Sequence, residues 1–158
     1  MFKIDEHEIT DYLRNQTLET KIYLGCDSER IKVRDIWYAD YIVAIVCHIN
    51  GNNGCKIFGE VFRERDYDQR IDRPNIRLMR EVFKVSEIYL KMADIFADRH
   101  VEIHLDLNPS ELHNSNMVLS QAVGYIRGTC NVIPMIKPKA FAASYAADRL
   151  KEIRETYS

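Results

Sequence analysis

From Val101 to Asn108 the sequence alternates strictly. Val101, Ile103, Leu105 and Leu107 are apolar, while Glu102, His104, Asp106 and Asn108 are polar. A period of two makes a strand with one oily face and one face bearing a histidine, carboxylates and an amide. Pro109 and Ser110 end it, so Asp106 and Asn108 come at the carboxyl end of a strand, where open α/β sheets hold ligands. Other acids stand in similarly pointed places. Asp27, followed by Ser28, closes a run in which Ile22, Leu24 and Cys26 alternate with Tyr23 and Gly25. Glu81 falls on an apolar helical row between Leu78 and Val85, at about 100° per residue. A carboxylate there must pair, bind a cation or keep its proton. Asp148 follows Ser144 and Tyr145 by about one turn and projects from the side of the last helical segment. Carboxylates gathered in one cleft repel one another, and a divalent Mg or Mn ion, which prefers oxygen ligands, relieves that cost. Two such ions about 3.5–4 Å apart activate a water and stabilise the leaving oxygen in phosphodiester cleavage. Each residue also has a plainer reading: a solvated edge strand for the octet, and for Glu81 an acid whose stem packs while its head reaches water.

The elements that must position these residues follow from periodicity. Asp5 to Gln16 sets Ile9, Tyr12 and Leu13 on one face and predicts a short leading helix packed on the domain as an addition. Lys21 to Asp27 reads as a strand ending in an acid. Trp37 to Ile49 is too continuously apolar to be half exposed and predicts a central strand. Asn50-Gly51-Asn52-Asn53-Gly54 is a turn, and Cys55 to Phe62 returns as a third strand of an antiparallel meander. From Arg63 to Arg77, arginines at 63, 65, 70, 73 and 77 interleave with Glu64, Asp66, Asp68 and Asp72. That is a solvated loop with local ion pairs or an arginine-rich rim that touches phosphates. Pro74 opens a helix to about Asp98. Its predicted core stripe is Met79, Val82, Phe83, Ser86, Leu90, Ala93 and Ala97, with a second row of Leu78, Val85, Ile88 and Met92. After the octet come a helix from Ser115 to Arg127, a short strand from Val132 to Ile136, Lys137-Pro138, and a small-residue helix from Ala140 to about Thr156.

Composition sets the bounds. At 158 residues the chain reads as one domain, with 1–18 as a helical extension and 19–158 as the core. A net charge of −2 argues against a broadly basic nucleic-acid coat and leaves room for a local basic rim. Cys26, Cys47, Cys55 and Cys130 form no CxxC pair, which disfavours a zinc knuckle. Three of them lie in apolar strand-like runs, as buried thiols of a reducing cytoplasm do, and a Cys47–Cys55 disulfide across the hairpin is disfavoured on the same ground. The acidic amino terminus has no apolar signal-peptide core, and no run approaches the roughly 20 apolar residues of a membrane span. The expected location is cytoplasmic.

Three meander strands, then helix, strand, helix, strand and helix, is the element order of the ribonuclease H fold. The sequence resembles that superfamily, whose α/β core is a five-stranded mixed sheet of order 3-2-1-4-5 flanked by helices; here the leading helix would be extra. In that superfamily catalytic acids come from the first strand, the first core helix, the end of the fourth strand and the last helix. Asp27, Glu81, Asp106 and Asp148 occupy those places in that order. Local motifs resemble the YkuK-like ribonuclease H-like domains of bacteria and phages. They are Gly25-Cys26-Asp27-Ser28, Arg80-Glu81, His104 to Asn108, Ser115-Asn116 with Gly124-Tyr125, and Ile136 to Ser144 through Ala147-Asp148. The chain departs from the pattern at Cys26, in place of a small hydroxyl residue, and in the charged stretch 63–77.

The resemblance implies a metal-dependent nuclease with two Mg or Mn ions. Asp27 would bridge them, Asp106 and Glu81 would bind one, and Asp148 the other. Lys137 is the candidate to hold a phosphate or order the nucleophile, or else a surface lysine before a proline. His104 reads as structural or supporting, Asn108 as a substrate contact or a strand stop, and Ser28 as a support for Asp27. The expected partner is nucleic acid: RNA, an RNA–DNA hybrid or DNA. The alternatives are a catalytically silent module of the same fold that binds nucleic acid or a protein, and a small-molecule hydrolase with the same metal site.

Overall fold

The long strand that carries Asp27 is the spine of the sheet. A computed structural model describes residues 3–49, 54–67, 75–106 and 116–136, together with 148, 149 and 152. β1 (Lys21–Val33), β2 (Ile36–His48) and β3 (Cys55–Arg65) form the expected antiparallel meander, and β4 (Val101–Leu105) lies parallel to β1. The order across the sheet is β3-β2-β1-β4. A parallel β4 requires a crossover, which α2 (Asn75–Phe96) supplies by packing on β1, β2 and β4.

Three strand predictions need correction. β1 does not end at Asp27: its ladder with β2 continues to Val33↔Ile36. The reversal is made by Arg34 and Asp35 at φ 50° and 65°, both left-handed, as a two-residue hairpin turn of matching twist requires. Neither is the glycine or asparagine that usually marks such a turn, so the sequence gives no punctuation there. β3 runs past Phe62 to Arg65, which moves Arg63 and Arg65 from the predicted loop into a strand. The predicted strand from Val132 to Ile136 is, among the described residues, one parallel bridge. Met135 N–H donates to the Ile103 carbonyl and Leu105 N–H to the Met135 carbonyl, each at 2.8 Å. The bridge occupies the open edge of β4, and Pro134, which has no N–H, immediately precedes it.

Alternation sorts the sheet into two apolar faces. Ile22, Leu24 and Cys26 of β1, Val43, Ile45 and Cys47 of β2, and Ile103 and Leu105 of β4 share a core with Val82, Val85, Ile88 and Met92 of α2. Ile42, Ala44, Val46 and Val61 are buried on the other face, with Tyr23 and Ile57 against them. β2 is therefore covered on both sides, as its unbroken apolar run requires.

α1 (Glu6–Arg14) is capped by the Asp5 carboxylate, which accepts from His7 N–H at 2.9 Å. It belongs to the main core, because Ile9 and Leu13 are fully buried in it, each a gain of roughly 1.5–3 kcal/mol. Arg99, just beyond α2, ties down its far end by donating to the carbonyls of Leu13 and Gln16 at 2.7 and 3.1 Å. α3 (Asn116–Cys130) packs on α2. The predicted core stripe of α2 divides. Val82 and Ser86 are buried, but Phe83 and Leu90 are 39% and 52% exposed, because Val85, Ile88 and Met92 of the second row face the core instead.

All four cysteines are free. Cys55 is exposed, against the expectation from its strand-like run, and Cys47 is buried. The register pairs Cys47 with Lys56 and His48 with Cys55, so the two thiols fall on opposite faces and cannot bridge. Among the described residues no helix is long and apolar enough to cross a membrane.

Candidate active site

The ladder between β1 and β4 stops at Cys26↔Leu105. The next residue on each strand is an acid, Asp27 on β1 and Asp106 on β4. Cys26 and Leu105 point into the α2-side core, so alternation turns Asp27 and Asp106 toward the opposite face, one on β1 and one just past the end of β4. Beyond this point β1 continues paired with β2 toward its hairpin while β4 ends, which leaves the two carboxylates at the end of the β1–β4 ladder. Both are partly exposed. Asp27 Oδ1 accepts from the Ser28 N–H at 2.8 Å, which fixes the carboxylate against its own strand.

Glu81 reaches the same place from α2. It is only 6% exposed, in keeping with its position on an apolar row. Burial pushes its carboxyl up to about 8; a hydrogen bond from the Ser28 side chain opposes that, the charges of Asp27 and Asp106 add to it, and Arg77 opposes it least. These influences put Asp27, Ser28, Glu81 and Asp106 in one electrostatic neighbourhood. Ser28 lies on the α2 side of β1, opposite Tyr41, and Asp27 on the other side. Glu81 and Asp27 thus approach the end of the β1–β4 ladder from two faces of one strand. Among the described residues no three such side chains form a ready-made metal cage.

His104 is 4% exposed on the Asp106 face, opposite Gly25. Its ring centroid lies 5.2 Å from that of Tyr23, and its Nε2 is 3.9 Å from Glu102 Oε1. Burial lowers its pKa and Glu102 raises it, so the imidazole stays neutral near pH 7. It packs beside the acids as a neutral ring. Asp148 is helical and exposed, and its charge is not among those acting on Glu81. Lys137 and Asn108 lie outside the described residues.

Arg77 was visible in the sequence only as one of a run of arginines. Its spacing of one helical turn before Glu81 is the signal that links the two. Arg80 and Tyr41 had no such signal: the Arg80 guanidinium sits beside the buried Tyr41 hydroxyl, a contact between α2 and β2 that only the fold creates.

A family model described as Ribonuclease H-like matches residues 6–152. No curated protein and no solved structure matches the chain. The match takes in α1 and every described strand and helix after it, with the mixed sheet and Asp27, Glu81 and Asp106 inside it. The chain belongs to the Ribonuclease H-like family.

Proposed function

We propose that this protein is a divalent-metal-dependent nuclease that hydrolyses phosphodiester bonds of nucleic acid. The observation that carries the reading is Glu81. It is a buried carboxyl set among two further carboxylates, with Arg77 as the weakest of the influences on it. A fold that needed only a buried polar group there could keep the Ser28 hydrogen bond with a glutamine. Three carboxylates within one another's electrostatic reach would suit Mg or Mn, whose charge would offset the repulsion and release the Glu81 proton. When bound, a pair of such ions supplies an activated water and stabilises the leaving oxygen. In this reading Asp27, Glu81, Asp106 and Asp148 would hold the ions, and Lys137 would meet the phosphate. Ser28 holds Glu81 in place, His104 supports the strand end as a neutral ring, and Asn108 contacts substrate. A five-stranded sheet of order 3-2-1-4-5, with Met135 marking the fifth strand, completes the proposal.

The test is cleavage of labelled RNA, RNA–DNA hybrid and DNA with Mg or Mn. Asp27→Asn should lower the rate by at least about 100-fold, because metal stabilisation of a transition state is worth several kcal/mol and each 1.36 kcal/mol is tenfold. Cleavage that survives the change in a clean preparation removes the mechanism. The acids do not form a closed cage among the described residues, and this favours a second reading, a silent binding module. Calorimetric titration decides between them: no heat at millimolar Mn, with Asp106→Asn identical to wild type, establishes the module.

A further inference from the structure

Between the end of β3 and the outer side of α2 lies a cleft of ≈ 510 Å³. Three cations, Arg65, Arg80 and Lys84, line it together with the rings of Tyr67 and Phe83. Its acids are Glu64, which pairs with Lys84 at 3.1 Å, and Glu87. Tyr67 is 75% exposed and Phe83 39%, so both rings leave apolar surface open to solvent. Tyr125 of α3 extends the aromatic surface, edge-on to Phe83 with centroids 4.9 Å apart. The Arg65 guanidinium stands over the Tyr67 ring, 5.2 Å from its centre, a cation on one ring face.

The cleft is joined to the acids by short steps. Arg80 precedes Glu81 in α2 and sits beside Tyr41; Tyr41 is the cross-strand partner of Ser28; the Ser28 side chain bonds Glu81. Arg65 pairs with Tyr38 and Tyr38 with Ile31, so Arg65 lies two strands across from β1, roughly 10 Å, and four residues along from Asp27, roughly 13 Å at the usual strand dimensions. That is within reach of about two or three nucleotides from a phosphate held at the acids.

We propose that this cleft binds a single-stranded segment of nucleic acid, with Tyr67 and Phe83 stacking on unpaired bases and Arg65 and Arg80 meeting the phosphates between them. Open ring faces alternating with guanidinium groups suit a strand whose bases are unstacked, and a duplex hides those base faces. The proposal rests on the nucleic-acid reading above and adds the form of the substrate next to the site. Because few phosphates are engaged, the salt dependence is shallow: two contacts give a log–log slope of about −1.4 for a single strand.

The experiment is fluorescence anisotropy with labelled dT and U 12-mers and a 12-base-pair duplex, all in EDTA so that no cleavage occurs. Wild type should bind one or both single strands more tightly than the duplex. Tyr67→Ala and Phe83→Ala should each weaken single-strand binding by on the order of tenfold, with duplex binding unchanged. Both side chains are exposed, so circular dichroism should stay native. Arg65→Ala should flatten the salt slope. Single-strand affinity no better than duplex affinity, or a Tyr67→Ala/Phe83→Ala double variant that binds like wild type, overturns the proposal and leaves the rings to a protein contact. Cleavage of the same oligonucleotides by wild type with Mg or Mn separates the two claims. Preferential single-strand binding by a wild-type protein that cleaves none of them removes the nuclease and keeps the cleft, whereas wild-type cleavage that is indifferent to the double variant does the reverse.

Discussion

Two buried acids in this fold are treated in opposite ways. Asp40 of β2 is fully buried, and Arg63, its cross-strand neighbour on β3, meets it with two bonds of 2.7 and 3.0 Å. The pairing is strong enough to raise the Arg63 pKa further. Glu81 of α2 is almost as deeply buried, yet it is set beside Asp27 and Asp106, and Arg77 acts on it least. Asp66 repeats the first pattern, 8% exposed and bonded by Arg30 at 2.7 Å. The sheet therefore supplies arginines where a buried acid is structural. It places more carboxylates where the acid stands at the end of β4. The difference is what the proposed cation site would require, since a permanently paired acid could not receive a diffusible cation.

The largest effect expected from this contrast is on the pH dependence of stability in EDTA. At low pH Glu81 is protonated whether the chain is folded or not, and contributes no slope. Between its ordinary 4.5 and about 8, the unfolded chain has released a proton that the folded chain keeps. Stability must therefore fall as pH rises through that window, by at most about 1.36 kcal/mol per unit and about 5 kcal/mol in all. Glu81→Gln should remove that component and make the metal-free protein more stable than wild type at pH 8, with little change at pH 4.5. Urea unfolding of both proteins across the range measures the difference curve. A flat difference curve would mean that Glu81 is not held protonated.

Asp40 should respond the other way. Arg63→Met leaves Asp40 buried without its guanidinium and should cost about 3 kcal/mol, the low end for a broken buried pair because the Arg63 side chain is itself 40% exposed. Urea midpoints at pH 7 give the number. The comparison breaks if Arg63→Met and Glu81→Gln shift the midpoint in the same direction at pH 8.

Much of this was legible in the sequence, for a physical reason. Periods of two and 3.6 report which side of an element is buried, so the three meander strands, the helix bearing Glu81 and the alternation around Asp106 could all be read. The conflict of an acid on an apolar row singled out Glu81 without any fold. What could not be read were features set by pairing between distant segments. The β1 extension depends on a turn at Arg34 and Asp35 whose strained backbone no turn residue announces. Arg63 looked like one charge in a charged loop, because its partner Asp40 lies 23 residues earlier. Phe83 looked like core because the row it shares with Val82 is apolar, and only the packing of α2 decides which edge of that row meets the sheet.

A half-exposed pair gives the smallest expected effect and the sharpest control. Lys84 Nζ is 3.1 Å from Glu64 Oε1, with side chains 19% and 39% exposed, and it also lies 4.8 Å from the Phe62 ring centre. Lys84→Met keeps the unbranched stem and its packing on Phe62, and water can take over much of the solvation of Glu64. The loss should therefore be about 0.5 kcal/mol, within the range of exposed pairs. Added salt should reduce it further, whereas the Arg63→Met cost should barely change with salt. If Lys84→Met costs as much as Arg63→Met, burial is not what makes an arginine necessary beside Asp40. The low cationic influence on Glu81 would then carry no functional meaning. If the two costs separate as expected, the depth at which an acid lies sets how badly it needs a cation. Glu81, deep and ringed by like charge, is then the position in the described fold with the strongest demand for one.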